Sequence, residues 1–316
     1  MTQPGESLAP LGLGCWAFGG GYWHYQNRSD SVRTIHAALR EGIRHFDTAQ
    51  GYGKGVSEQI LGQQLHRFSK THPRESYVLA TKMFLPDSED DLERLINRSL
   101  HRLITPYVDI LYIHWPDSSK PLGPYLEKLA QLQKQGLFRA LGVSNFTADL
   151  LHEANSIVKI SYCQIPVSLL WLKSLTTLEP ICRSAGIELI GYSPLGLGLL
   201  SGRYRLQESL DAQDLRRRLF VFKEPYYQYY LQLISTLEQN AREVGISAAL
   251  LALLWARMQP VYTLLTGART KDQLYSTLSS SSLQVPYKEL AAVEQAAKLL
   301  AEQIPPEEDN LFFHRW

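Results

Sequence analysis

The chain has 316 residues, 45% of them hydrophobic and 20% charged, an ordinary balance for a globular protein able to bury a large core. Its 32 Lys and Arg stand against 31 Asp and Glu, a formal net charge of +1, so bulk electrostatics make no case for nucleic acid or an acidic membrane as partner. Cys15, Cys163 and Cys182 are far apart and form no CxxC pair, which argues against a zinc site or a disulfide framework and suits a reducing compartment. Met1–Pro10 lacks the basic-then-apolar run of a secretory signal, and the longest apolar stretch, Ser247–Ala256, is too short to span a bilayer. The expectation is a single cytoplasmic domain over residues 1–316 with no membrane partner and no metal.

Along the chain, short apolar runs alternate with helical patterns. The expected strands are Leu11–Cys15, Arg44–Thr48, Tyr77–Lys82, Val108–Trp115, Ala140–Ser144, Tyr162–Val167, Glu188–Ser193 and Thr263–Gly267. Between them, helices are expected over Asp30–Glu41, Ser57–Arg67, Ser88–Ile104, Pro124–Gln135, Thr147–Ile157, Thr177–Ala185, Ala248–Met258 and Thr270–Leu278. In Ser88–Ile104, for instance, Leu92, Leu95, Ile96, Leu100 and Leu103 share one face, and acidic residues follow Ser88 in the first turn. Gly42, Gly136 and Gly186 stand where a left-handed residue commonly ends a helix. This alternation predicts an α/β fold, a single parallel (β/α)8 TIM barrel rather than an open sheet. Two segments exceed the repeat: Leu199–Gly245, partly basic and aromatic, and an extra helix over Pro286–Gln303 with an aromatic tail, Leu311–Trp316.

In such a barrel, polar groups just beyond the strand ends meet at one face. Asp47 and Tyr52 follow the second strand, Lys82 ends the third and His114 ends the fourth. Neighbouring strands lie about 4.8 Å apart, so these four can converge in one pocket. A phenol with a pKa of about 10 is a poor proton donor or acceptor at neutral pH. A lysine ammonium lowers that value, and a carboxylate holds the ammonium in place. A histidine can donate to an oxygen on which charge develops. Together these parts suit carbonyl reduction with hydride from a cofactor. Taken singly, each has a plainer reading: Asp47 as a turn residue, Tyr52 as a surface aromatic, Lys82 as a solvated strand end or a Schiff-base lysine, His114 as a core histidine. Their equivalent positions at consecutive strand ends favour the joint reading.

The phrases Phe46-Asp47-Thr48-Ala49-x-x-Tyr52-Gly53, Ala80-Thr81-Lys82 and Asp109-Ile110-Leu111-Tyr112-Ile113-His114-Trp115-Pro116 strongly resemble the aldo-keto reductase family. Gly142-Val143-Ser144-Asn145-Phe146, Gln164, Tyr192-Ser193-Pro194-Leu195 and Gly267-Ala268-Arg269 follow in family order, and the opening Leu11–Gly19 resembles the first strand and loop. The resemblance covers nearly the whole chain. It implies an NADPH-dependent reductase of aldehydes or ketones, with Tyr52 as proton donor, Lys82 and Asp47 tuning it, and His114 orienting the carbonyl. Cofactor contacts are implied for Asp47, Ser144, Asn145, Gln164, Tyr192, Ser193, Leu195, Gly196, Gly198, Gly267, Arg269 and Gln273. Trp16, Trp23, Phe84 and Trp115 are candidates to line the substrate mouth with Tyr52 and His114.

Gly196-Leu-Gly198-Leu-Leu-Ser201 nearly matches the GxGxxG dinucleotide fingerprint but opens no helical pattern, so it reads as a loop over a diphosphate. Arg269, at the start of the helix Thr270–Leu278, suits a ribose 2′-phosphate, hence NADPH over NADH. The chain departs from the family here: Ser276-Thr277 replace a common Glu-Asn, and Thr266 stands where Pro is common. Two other readings stay open: a cofactor-binding regulatory subunit, like those of some channels, and a barrel aldolase or isomerase using Lys82. The expected partner is a small carbonyl molecule, and the sequence does not separate monomer from homo-oligomer.

Overall fold

The structure, a computed structural model, describes residues 8–20, 26–283 and 285–304. Trp23 and the aromatic tail 311–316 lie outside the described residues. Eight parallel strands close on themselves in sequence order: β1 (Leu11–Gly14), β2 (His45–Asp47), β3 (Val78–Met83), β4 (Val108–Ile113), β5 (Phe138–Ser144), β6 (Tyr162–Pro166), β7 (Glu188–Tyr192) and β8 (Thr263–Gly267). Helices α1 (Arg28–Arg40), α2 (Val56–Phe68), α3 (Leu92–Leu103), α4 (Leu122–Lys134), α5 (Ala148–Ile157) and α6 (Leu172–Ala185) fill the first six crossovers. Between β7 and β8 come α7 (Tyr226–Glu243) and α8 (Ala248–Arg257), and α9 (Lys271–Leu278) and α10 (Tyr287–Gln303) follow β8. The expected (β/α)8 barrel with extra helices toward the C-terminus is thus observed.

Strand side chains alternate between two environments. Phe46, Leu79, Leu111, Ile113, Leu141, Val143, Cys163, Ile165 and Leu189 face the helices and join one continuous core. Ala80, Ile110 and Tyr112 pack separately inside the barrel. Space there is tight: a Cβ on Gly142 would sit 2.5 Å from the Tyr112 ring. The same alternation turns Asp47 and Lys82 inward, because the register pairs Asp47 with Ala80 and Lys82 with Tyr112. Among the described residues no helix is long and apolar enough to cross a membrane.

Most helix boundaries lie within a few residues of expectation, and Gly42, Gly136 and Gly186 are left-handed at φ +82, +84 and +66. Two differences have clear causes. Helix α6 begins at Leu172 rather than Thr177, leaving Pro180 in its interior. The buried stripe Leu172, Leu175, Leu178 and Cys182 holds the longer helix despite the hydrogen bond that Pro180 removes. Within 199–245, α7 was not anticipated. Its buried face, Tyr230, Leu233, Ile234, Leu237 and Ala241, has helical spacing and packs against α8 and α10.

Candidate active site

Asp47 ends β2, and the chain continues the parallel ladder past it: the Thr48 amide donates to Ala80 O and the Gln50 amide to Lys82 O. The segment then turns so that the Tyr52 amide bonds Ala49 O. Gly53, at φ +58, lies against the turn Trp16–Gly19 so closely that a Cβ on it would meet Gly19 O at 2.1 Å. A side chain at position 53 therefore cannot be accommodated unless the Gly19 turn or the Tyr52 loop moves. This contact sets the Tyr52 ring beside Trp16, with centroids 6.2 Å apart, and edge-on to His114 at 5.6 Å.

Behind the phenol lies a buried charge pair. Lys82 Nζ donates to Asp47 Oδ1, to Thr48 O at 3.0 Å and to the Tyr52 hydroxyl at 3.3 Å. Gln164 Nε2 donates to the other Asp47 oxygen at 2.9 Å, so the carboxylate is held at both ends. Lys82 and Asp47 are 1% and 3% exposed, so their charges survive only through these contacts. Burial opposes the Lys82 charge, but Asp47 and Tyr52 outweigh it and raise the ammonium above its ordinary pKa. Burial pushes the Tyr52 phenol up and Lys82 pulls it down. The expected lowering by lysine is therefore present but outweighed, and the phenol stays protonated at neutral pH.

His114 is held well below its ordinary pKa, chiefly by burial and secondly by the Lys82 charge. It is neutral at physiological pH, with Nδ1 buried and without a hydrogen-bond partner. We expect turnover between about pH 5 and 8 to show no limb from this imidazole. The check is a pH profile of kcat beside His114→Gln; a limb near 6.5 present only with His114 would contradict the neutral assignment.

On the far rim, Asn145 takes φ +62, its Nδ2 donates to His114 O and to Ser144 Oγ, both at 3.0 Å, and its Oδ1 accepts from the Tyr192 hydroxyl at 2.7 Å. The barrel therefore brings Trp16, Asp47, Tyr52, Lys82, His114, Ser144, Asn145, Gln164 and Tyr192 to one end; the strand-end pattern places Asp47, Tyr52, Lys82 and His114 there. Phe84, 51% exposed, places its ring 5.0 Å from that of His114. Trp115 follows His114 just beyond β4.

After β7, Ser193 adopts φ +53, and Gly196–Ser201 form a 3-10 turn broken at Leu197 and Gly198 rather than a regular helix, as expected of a loop rather than a dinucleotide fingerprint. Arg216 reaches this loop from the long segment, donating to Leu197 O at 3.0 Å while paired with Asp214 at 2.6 Å. Gly267 ends β8, and the Arg269 amide bonds Gln273 Oε1 at 2.8 Å. Gln26, which sequence reasoning missed, clamps Arg269 from across the chain: it accepts from Arg269 Nε at 3.3 Å and donates to Arg269 O at 3.1 Å. No local pattern marks Gln26, since the pairing spans 243 residues. Thr277 is buried, with its hydroxyl on Gln273 O, whereas Ser276 is exposed. Among the described residues no His, Cys, Asp and Glu group is arranged to hold a metal ion.

A closed parallel barrel thus carries a buried, hydrogen-bonded Asp47–Lys82 pair beneath a strand-end phenol, and comparisons with known proteins give its family. Residues 10–298 match the model of the aldo/keto reductase family. The aldo-keto reductase YhdN of Bacillus subtilis (strain 168) is 33% identical over 285 residues, 87% of this chain and 85% of that one. The NADH-specific methylglyoxal reductase of Escherichia coli (strain K12) is 27% identical over 319 residues, covering 93% and 96%. The structure of the glycerol dehydrogenase AKR11B4 from Gluconobacter oxydans superposes with a TM-score of 0.82 at 29% identity, covering 96% of each chain. This chain belongs to the aldo/keto reductase family and is an oxidoreductase.

Proposed function

We propose that the protein reduces aldehyde or ketone carbonyls to alcohols with NADPH, and that Tyr52 is its proton donor. The observation that carries this reading is the buried Asp47–Lys82–Tyr52 chain beside a neutral His114. The rim fits a nicotinamide: the amides of Asn145 and Gln164 and the Ser144 hydroxyl complement a carboxamide, and Tyr192 offers a flat ring for stacking. Leu195, Gly196 and Gly198 would flank the diphosphate, with Arg216 against the same loop. Bound nicotinamide supplies the hydride.

The protein's own groups handle the charge and the proton. Substrate oxygen gains negative charge as hydride arrives, and the neutral His114 donates an N–H to it. Tyr52 delivers its hydroxyl proton to that oxygen. Lys82 stabilises the phenolate left behind, and Asp47, anchored by Gln164, keeps the ammonium from swinging away. Trp16, Phe84 and Trp115 line the approach and favour a substrate with an apolar body. The free thiols of Cys15, Cys163 and Cys182 support a reducing compartment such as the cytoplasm.

The choice of NADPH rests on Arg269, held by Gln26 at the start of α9, where a guanidinium and helix N–H groups suit a phosphate. Arg269→Ala should weaken NADPH binding by about ten- to a hundredfold, the worth of a charge-assisted hydrogen bond, and NADH binding far less. Fluorescence titration with both cofactors checks this, and equal losses would remove Arg269 from 2′-phosphate recognition. Oxidation of NADPH by purified protein with a panel of aldehydes and ketones tests the function itself. Tight NADPH binding without turnover would favour the cofactor-binding regulatory reading instead.

A further inference from the structure

We propose that Ser57 and Glu58, in the first turn of α2, are positioning residues that hold Lys82 within reach of Tyr52; this rests on the reading of Tyr52 as proton donor. Glu58 is completely buried, and the chemistry above makes no use of its charge. An ionised carboxylate keeps such a place only when paired. One oxygen accepts from Thr81 Oγ1 at 2.7 Å, and the other accepts from Arg102 Nε at 2.5 Å.

Thr81 immediately precedes Lys82 on β3, and strand alternation turns it toward α2 while Lys82 turns into the barrel. Anchoring Thr81 from outside therefore sets where the Lys82 backbone sits. The second oxygen extends the hold to the Tyr52 loop. Arg102 lies over Gly55, where a Cβ would come within 2.7 Å of its Nε. One carboxylate thus bonds the strand bearing the ammonium and holds a guanidinium packed against the loop bearing the phenol.

Ser57 supplies a second arm. Its hydroxyl donates to Cys15 O at 2.7 Å and accepts from Thr48 Oγ1 at 2.9 Å. Thr48 in turn offers its carbonyl to Lys82 Nζ at 3.0 Å. The ends of β1, β2 and β3 are therefore pinned to a single helical turn. A lysine side chain is long and rotamer-rich, and this frame restricts where its ammonium can rest. A misplacement of about 1 Å in such a group can lower the rate a hundredfold.

Thr81→Val, Thr81→Ser and Glu58→Gln test the idea without opening a large cavity. Thr81→Val and Glu58→Gln should lower kcat by about tenfold or more, leave KM for cofactor and carbonyl near the wild-type values, and leave Thr81→Ser close to wild type. A lower melting temperature with unchanged kcat would overturn the positioning role. Wild-type protein that binds NADPH but reduces no carbonyl would defeat the proton-donor reading instead. The inference is then decided by a crystal structure of Thr81→Val: Nζ withdrawn from the Tyr52 hydroxyl supports it, and an unchanged 3.3 Å contact overturns it.

Discussion

Tyr52→Phe is expected to fold, to bind NADPH as the wild type does, and to lose about 10²–10⁴-fold in kcat for carbonyl reduction. The substitution deletes one hydroxyl and leaves the ring, so the contacts with Trp16 and His114 persist. Lys82 keeps Asp47 and Thr48 O as partners, so no buried charge is left uncompensated. Only the proton is lost, and the developing alkoxide must take one from water. The measurement is NADPH oxidation under saturating carbonyl, beside fluorescence titration of the cofactor. Near-native turnover would show that another group donates the proton; weakened cofactor binding would show that Tyr52 does more than donate.

Lys82→Met is expected to fail on two counts. Without the ammonium, the phenolate formed after proton transfer has no cation beside it, and loss of such a stabilising donor lowers rates by about 10²–10³-fold. The variant also leaves Asp47 as a buried carboxylate held by Gln164 alone, and breaking a buried pair from one side costs about 3–5 kcal/mol. The two effects separate in a double variant. Adding Asp47→Asn removes the stranded charge, so most of the stability should return while the activity does not. Denaturant unfolding and steady-state kinetics on the same three proteins check this. Stability unrecovered in the double variant would mean that Lys82 supports the barrel through packing rather than through its charge pair.

How much of this was legible in the sequence depended on range. Strands and helices have local signals, namely apolar runs with turn residues at their ends and stripes at helical spacing, so the alternation that makes a barrel could be read directly. The strand-end rule then placed Asp47, Tyr52, Lys82 and His114 at one face, because a parallel barrel brings every strand's C-terminal end there. The local signal failed where burial overrode it. The expected helix Thr177–Ala185 began too late, because the buried stripe Leu172, Leu175, Leu178 and Cys182 carries α6 back to Leu172. Glu58 carried no signal of its own within the expected helix Ser57–Arg67. Tertiary packing made it a fully buried anion joining β3, α2 and α3.

Chain order, residue types and spacing therefore determined the barrel and the inventory of its chemistry. The three-dimensional fold decided the partners: Gln26 on Arg269, Arg216 on the Leu197 carbonyl, Gln164 on Asp47 and Glu58 on Thr81. It also decided the proton states: burial outweighs the nearby ammonium at Tyr52, while burial and that ammonium act together to keep His114 neutral. Hydrogen bonds and desolvation act over a few ångströms in space, and residues that meet across tens or hundreds of positions leave no periodicity for a sequence reading to find.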